Sequence, residues 1–196
     1  WWGKAEPVLW VTLHVIKSLQ LAKDMGYEVK SSLHTPLTLY KLDLKKYSVW
    51  QSLEMLEILY SVSKHIDKEY LHTLDTLKHI DDYSKLRIIR LKQLYGMPYS
   101  VDSVIAKAHV SYTGGSYWGD ERYRYSTGNI IPQTLCAYKI LQDDTTHTFD
   151  LQSVFFYFAM ERNKTGYWMN TLESAQILST LVPLARRVKN SDAGEP

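Results

Sequence analysis

Residues 114–141, GGSYWGDERYRYSTGNIIPQTLCAYKIL, carry the reading on which the fold turns. A Gly pair opens a turn, Tyr117 and Trp118 follow, and a charged, Tyr-rich loop leads into an amphipathic helix expected over about 130–141. A shortened copy stands at 164–181, KTGYWMNTLESAQILSTL. Both copies place Gly before Tyr-Trp, then Thr-Leu in the first helical turn (Thr134-Leu135, Thr171-Leu172), then Ile-Leu. One turn-and-helix device used twice in a short chain points to a helical repeat architecture. Neither copy contains a catalytic motif.

Working outward, the same helical period recurs on both sides. Residues 7–25 carry apolar positions at helical spacing, with Pro7 suited to a first turn and Gly26 to the position just past the end. Residues 27–43 read as a loop or short extended passage. A second helix is expected over about 44–65 on a stripe of Val49, Trp50, Leu53, Leu56, Leu59, Tyr60 and Val62, and a short third over 66–77. The fourth, 83–95, is closed by Gly96 and Pro98. Ser100 is placed as the cap of a fifth helix over 101–110. The seventh is expected over 148–162, and the eighth from Asn170 or Thr171 to about Val188, with Pro183 kinking it or moving its end. Residues 189–196 read as a frayed polar tail. Eight helices in antiparallel pairs, without a strand-period segment of substance, give an all-α class and one domain, or part of one, over 1–188. The Gly and Tyr-Trp turns favour an α/α toroid, possibly incomplete, over a solenoid.

Composition bounds the function. A 45% hydrophobic content over 196 residues suits a packed core. With 23 basic and 21 acidic residues the net charge is +2, and no basic stripe is concentrated enough to favour nucleic acid. Lys85, Arg87, Arg90 and Lys92 form the one local excess and read as a solvated helix face. No apolar run approaches the length of about eighteen residues needed to span a bilayer. The opening WWGKAEPVLW lacks the pattern of a signal peptide, and the abrupt start on two Trp leads to the expectation of a piece cut from a larger protein. Cys136 is the only cysteine, which excludes an internal disulfide, and it reads as a small buried hydrophobe.

Each candidate for chemistry has a simpler reading beside it. His65, His72 and His79 recur every seven residues, but steps of about 10 Å along a helix are too long for one metal, so no metal site is expected. Asp81-Asp82 and Asp143-Asp144 invite comparison with the acid-rich motifs that hold Mg²⁺-diphosphate, yet both lack the third acid of those motifs and fall at helix ends. Asp120 and Glu121 lie beside Arg122 and Arg124 as loop ion pairs, and Glu173 suits the first turn of a helix. Those three acids are the ones near the aromatic turns that a sugar-cleaving pair would need. Asn163-Lys164-Thr165 matches a glycosylation sequon, a short and common pattern. Fifteen Tyr and six Trp suit loops packed over helix ends, or else a sugar or peptide groove. The residues placed at an exposed binding end are Tyr117, Trp118, Asp120, Tyr167 and Trp168.

Four places, in order, resemble one family. Trp1-Trp2-Gly3 with Leu9–Thr12 is similar to the end of a Gly-Gly-Phe-x-Trp-Trp segment and the helix after it. His14–Val29, closing on AKDMGYEV, resembles a helix ending in Ala-x-x-x-Gly-Tyr-x-Val. The helix around Trp50–Tyr60 resembles a Tyr-Ala-Leu-x-x-Leu helix, and Gly166–Ala175 a late Trp-x-Ser/Thr-Thr-Gln-x-x-Ala turn. Together they resemble the helical thioester-type, complement-like domain of bacterial alpha-2-macroglobulins. The resemblance implies an α/α toroid in a large periplasmic or cell-surface protein, with β-sandwich macroglobulin domains as neighbours and proteases as partners to be trapped or blocked. It implies no cofactor. Active members carry a thioester built from Cys-x-Glu-Gln, whereas Cys136 is followed by Ala137-Tyr138-Lys139, so no thioester forms at that cysteine. In the family that motif precedes the Trp-Trp segment, and no catalytic residue transfers. The expected function is therefore a non-catalytic contact domain, with a carbohydrate-active or sugar-binding toroid module as the alternative.

Overall fold

The computed structural model describes residues 8–30, 41–120, 130–162, 168 and 170–192. Among them the regular structure is eight helices and one hairpin of two-residue strands, so the all-α class holds. The chain divides into two compact units, Trp1–Met97 and Pro98–Pro196. The break falls at the punctuation Gly96-Met97-Pro98.

The first unit holds α1 (Leu9–Asp24), α2 (Val49–Ser63), α3 (Lys68–Asp75) and α4 (Asp82–Leu94). Local chemistry sets each boundary. Gly26, at φ +90°, ends α1, and the Tyr27 N–H reaches back to the Ala22 carbonyl at 3.0 Å. α2 begins five residues later than expected because Ser48 and Gln51 form a reciprocal capping box. Asp43 meanwhile draws residues 44–47 into a turn, accepting the Lys45 N–H on its carboxylate and the Tyr47 N–H on its carbonyl. Asp67 and Asp81 cap α3 and α4 through the N–H groups of Tyr70 and Ser84. Gly96, at φ +62°, closes α4 with the Met97 N–H on the Lys92 carbonyl at 2.8 Å. Two apolar clusters fill this unit. Leu9, Leu13 and Ile16 of α1 meet Met55 and Ile58 of α2, while Leu53 and Leu56 meet Leu71 and Leu74 of α3 and Ile88 and Leu91 of α4.

Among these apolar contacts lies a charged centre. Arg87, expected on a solvated face, is 2% exposed. Its Nε and Nη2 donate to Glu57 at 2.7 and 2.8 Å, and Nη2 donates to Glu54 at 2.9 Å. Lys17 of α1 reaches the other Glu54 oxygen at 3.0 Å. The Trp50 and Tyr83 rings flank the guanidinium at 5.9 and 5.6 Å. Burial alone would push the Arg87 pKa down, but Glu57, then Tyr83 and Glu54, raise it above its ordinary value, so the charge persists. The solvated-face reading is corrected here because two carboxylates on α2 neutralise a cation that α4 turns inward. Lys85 stays exposed, and Lys92 pairs with Asp75 at 2.9 Å.

The second unit holds α5 (Asp102–Ile105), β1 (His109–Val110), β2 (Ser116–Tyr117), α6 (Ile130–Gln142), α7 (Leu151–Glu161) and α8 (Thr171–Asp192). The fifth helix stops far short of residue 110. Its Val104 carbonyl accepts the Trp118 indole N–H at 2.7 Å and the Lys107 N–H at 3.2 Å, while the Ala108 N–H turns to Ile105 instead. The ladder therefore tightens and ends. The chain then forms an antiparallel hairpin, His109 opposite Tyr117 and Val110 opposite Ser116, closed by the Ser111–Gly115 turn. The hairpin seats directly on α7. A Cβ on Gly115 would stand 2.5 Å from the Tyr157 Cα, so only glycine allows this approach. α7 starts at Leu151 under the Asp150 cap, and α8 continues through Pro183 to Asp192, past the start of the expected tail. No helix among the described residues is long and apolar enough to cross a membrane.

Replacing Arg87 by Ala leaves Glu54 and Glu57 without their guanidinium partner and should cost about 3–5 kcal/mol in chemical denaturation. The paired change Arg87→Met with Glu54→Met should cost less than Arg87→Ala alone. A larger loss for the pair would show that the ion cluster is not what makes Arg87 matter.

Candidate functional site

The residues singled out around the two Gly and Tyr-Trp turns are where a binding surface was expected, and the structure buries the first pair. Tyr117 is 7% exposed and Trp118 only 1%. Tyr117 stacks on Tyr157 of α7 with ring centroids 4.9 Å apart and has His109 at 5.3 Å on its own hairpin. Trp118 lies 5.6 Å from Phe149. Its backbone N–H donates to the Thr134 hydroxyl at 3.0 Å, and that hydroxyl lies 3.3 Å from its carbonyl. The placement of Tyr117 and Trp118 at an exposed end is thereby corrected. Large rings on a hairpin that must cover α5, α6 and α7 bury more apolar area inward than a loop could hold in water.

The second copy behaves like the first in one respect. Trp168 is half-buried, and its indole N–H donates to the Phe158 carbonyl at 2.9 Å. The last four carbonyls of a helix have no partner within it. Val104 lies in the short α5 and Phe158 in the last turn of α7, so each indole meets a helix-terminal carbonyl. Asp120 is half-buried at the end of the described hairpin. Tyr167, Glu121, Arg122, Arg124 and the sequon residues lie outside the described residues.

The remaining candidates are placed as follows. His65 and His79 stand in loops on either side of α3, His72 stands on α3, and all three are exposed. Asp81 caps α4 and Asp82 pairs with Lys85 at 3.2 Å. Cys136 is partly exposed on α6. Glu173 is more unusual than a first-turn acid. Its N–H donates to Asn170 Oδ1 at 2.9 Å, and its own buried Oε2 has no hydrogen-bond partner among the described residues. Burial pushes its pKa up, against a smaller lowering by the Asn170 side chain.

One polar group escaped sequence reasoning. His147 places Nε2 2.9 Å from Asp102 of α5 and Nδ1 3.3 Å from Asp144, with the Thr146 hydroxyl 2.7 Å from the same Nδ1. Asp144 in turn accepts from the Thr146 N–H at 3.1 Å, the Thr146 hydroxyl at 2.9 Å and the His147 N–H at 3.0 Å. Desolvation alone would raise the Asp144 pKa, but these donors outweigh it and hold the carboxyl below its ordinary range. A carboxylate committed to its own turn has few lone pairs left for a cation. Asp144 thus shapes the α6–α7 connection, and His147 ties it to α5. The sequence signal was the run Asp144-Thr145-Thr146-His147, in which a short acid precedes two N–H groups it can reach.

Comparison with protein-family models, curated proteins and solved structures finds no match to this chain.

Trp118→Phe keeps an aromatic side chain, though a smaller one, and leaves the Val104 carbonyl without its indole donor; it should lower stability by about 1–3 kcal/mol. Retention of full stability in thermal and urea unfolding would refute the clamp. For Asp144 the lowered folded-state pKa adds stability that is present above the ordinary aspartate range and is lost as pH falls through the folded value. Asp144→Asn should therefore flatten the acid limb of a Tm-against-pH curve while changing its neutral-pH shape little.

Proposed function

We propose that this chain is a non-catalytic helical domain that works through protein–protein contact, within a bacterial alpha-2-macroglobulin-like envelope protein. The observation that carries the contact reading is the fate of the aromatic pair. Tyr117 and Trp118 are buried, and the indoles of Trp118 and Trp168 donate to helix carbonyls, so the polar tips a sugar platform would offer are already used. The carbohydrate alternative loses its groove at those positions. Support for the family part comes from the order of the four sequence resemblances and from the helical architecture. The α/α toroid, the periplasmic or cell-surface location, the neighbouring β-sandwich domains and a protease partner belong to the same proposal.

The test sets proteases against sugars. The purified chain is presented on a biosensor surface to a panel of secreted serine, cysteine and metallo-endoproteases, and its Trp emission is followed during titration with linear oligosaccharides. Saturable binding of at least one protease, with emission unchanged by sugar, is the expected outcome. Sugar-dependent emission with no protease bound would transfer the reading to the carbohydrate alternative.

A further inference from the structure

α5 begins without a cap of its own. Val101 stands before it with no side-chain bond to its first turn, and a helix of four residues is too short to hold itself by its own ladder. Burial of Val101 and Val104 fixes it in the unit. A polar contact adds to that packing: Asp102 meets His147 of the α6–α7 connection, with Oδ1 2.9 Å from Nε2.

One placement of the protons around the His147 ring satisfies every contact. Nδ1 lies 2.7 Å from the Thr146 hydroxyl and 3.3 Å from Asp144, and the same hydroxyl lies 2.9 Å from Asp144 Oδ1. A neutral imidazole carries a single N–H. With that N–H on Nδ1, the Nε2 lone pair faces the Asp102 carboxylate at 2.9 Å. With it on Nε2, the Thr146 hydroxyl has one hydrogen for both Nδ1 and Asp144, and one of those contacts is left without a proton. The imidazolium removes the conflict. Nε2–H donates to Asp102, Nδ1–H donates to the Thr146 hydroxyl, and that hydroxyl donates to Asp144. The charged groups that face the ring, Asp102 from α5 and Asp144 from the connection, are both acids. Desolvation alone would raise the Asp144 pKa, but donors from Thr146 and His147 hold it below its ordinary range. Asp144 therefore stays ionised across the interval from about pH 5 to 8 in which histidine changes charge.

We infer that the protonated His147 ring latches the first turn of α5 to the α6–α7 connection, and that loss of its proton slackens that turn. The device is a pH switch within the second unit and stands apart from the protein-contact reading. Solvent bounds its strength. The Asp102 side chain is 81% exposed, which places the pair among surface ion pairs that move a local equilibrium by about twofold to fivefold. The bond from the Trp118 indole to Val104 does not involve the ring, so the change stays local to the start of α5.

The switch is read by water–amide exchange NMR on the whole chain, at the Ala106 N–H, which donates to the Asp102 carbonyl at 2.8 Å. Chains are compared with one another at about pH 5 and again at about pH 8, on either side of histidine titration. At the lower pH, Asp102→Asn should exchange about twofold to fivefold faster than the unaltered chain, and at the higher pH the two should agree. His147→Gln, which cannot take up a proton, should repeat that pattern. His109→Gln, on the neighbouring hairpin, should exchange like the unaltered chain at both. An equal loss at both pH values would make the pair a fixed contact, and no loss at either would make it inert; each overturns the latch. If His109→Gln produces the loss in place of His147→Gln, the proton belongs elsewhere and the latch also falls.

Discussion

The second unit depends on Trp118. One residue donates its indole N–H to Val104, donates its backbone N–H to Thr134, faces the Thr134 hydroxyl with its carbonyl and lays its ring near Phe149. A buried indole N–H without an acceptor would carry a desolvation penalty of about 1–3 kcal/mol. The carbonyl that receives it also accepts the Lys107 N–H, and α5 ends there after a single turn. The hairpin follows from that ending, and its seat on α7 requires the absent side chain of Gly115. A short helix, a tight turn and a glycine thus meet around one buried indole.

The first unit has a different constraint, a charge that cannot be left alone. Two rings and two carboxylates surround Arg87, and its buried Nη1 has no hydrogen-bond partner among the described residues. Such a cluster adds little net stability over a hydrophobic one, because desolvation offsets the attraction. Its effect is on register. Glu54 and Glu57 are one helical turn apart on α2, so both reach Arg87 at one rotation of α2 against α4, and Lys17 extends the same condition to α1.

Helix type, order and many ends were legible because they rest on local chemistry: Gly26 and Gly96 past helix ends, Asp81 beside one, an apolar stripe on α2. The start of α2 was misjudged because Ser48 and Gln51 compete with residues that have equal helical preference. Two-residue strands are too short to show alternation, and nothing local says that Tyr157 will stand against Gly115. Arg87 was misread because a cation within a charged run looks solvated until its partners, some thirty residues away, are known. The missing signal was the pair Glu54 and Glu57 set inside the apolar stripe of α2. His147 was missed for the reverse reason, since its contact to Asp102 joins two stretches with no shared pattern.

The repeated Gly and Tyr-Trp turn acquires a physical meaning from this comparison. A helix that ends under packed aromatic side chains must satisfy its terminal carbonyls without water. Trp is the one large apolar side chain that carries a single fixed donor and no acceptor. Placed after a Gly turn, it can cover a helix end with its ring and satisfy a carbonyl with its N–H together. Val104 and Phe158 receive that donor from the two copies. The recurrence that pointed to a helical repeat is thus tied to helix termination. Recognition, on this argument, is left to faces on which no indole has been spent.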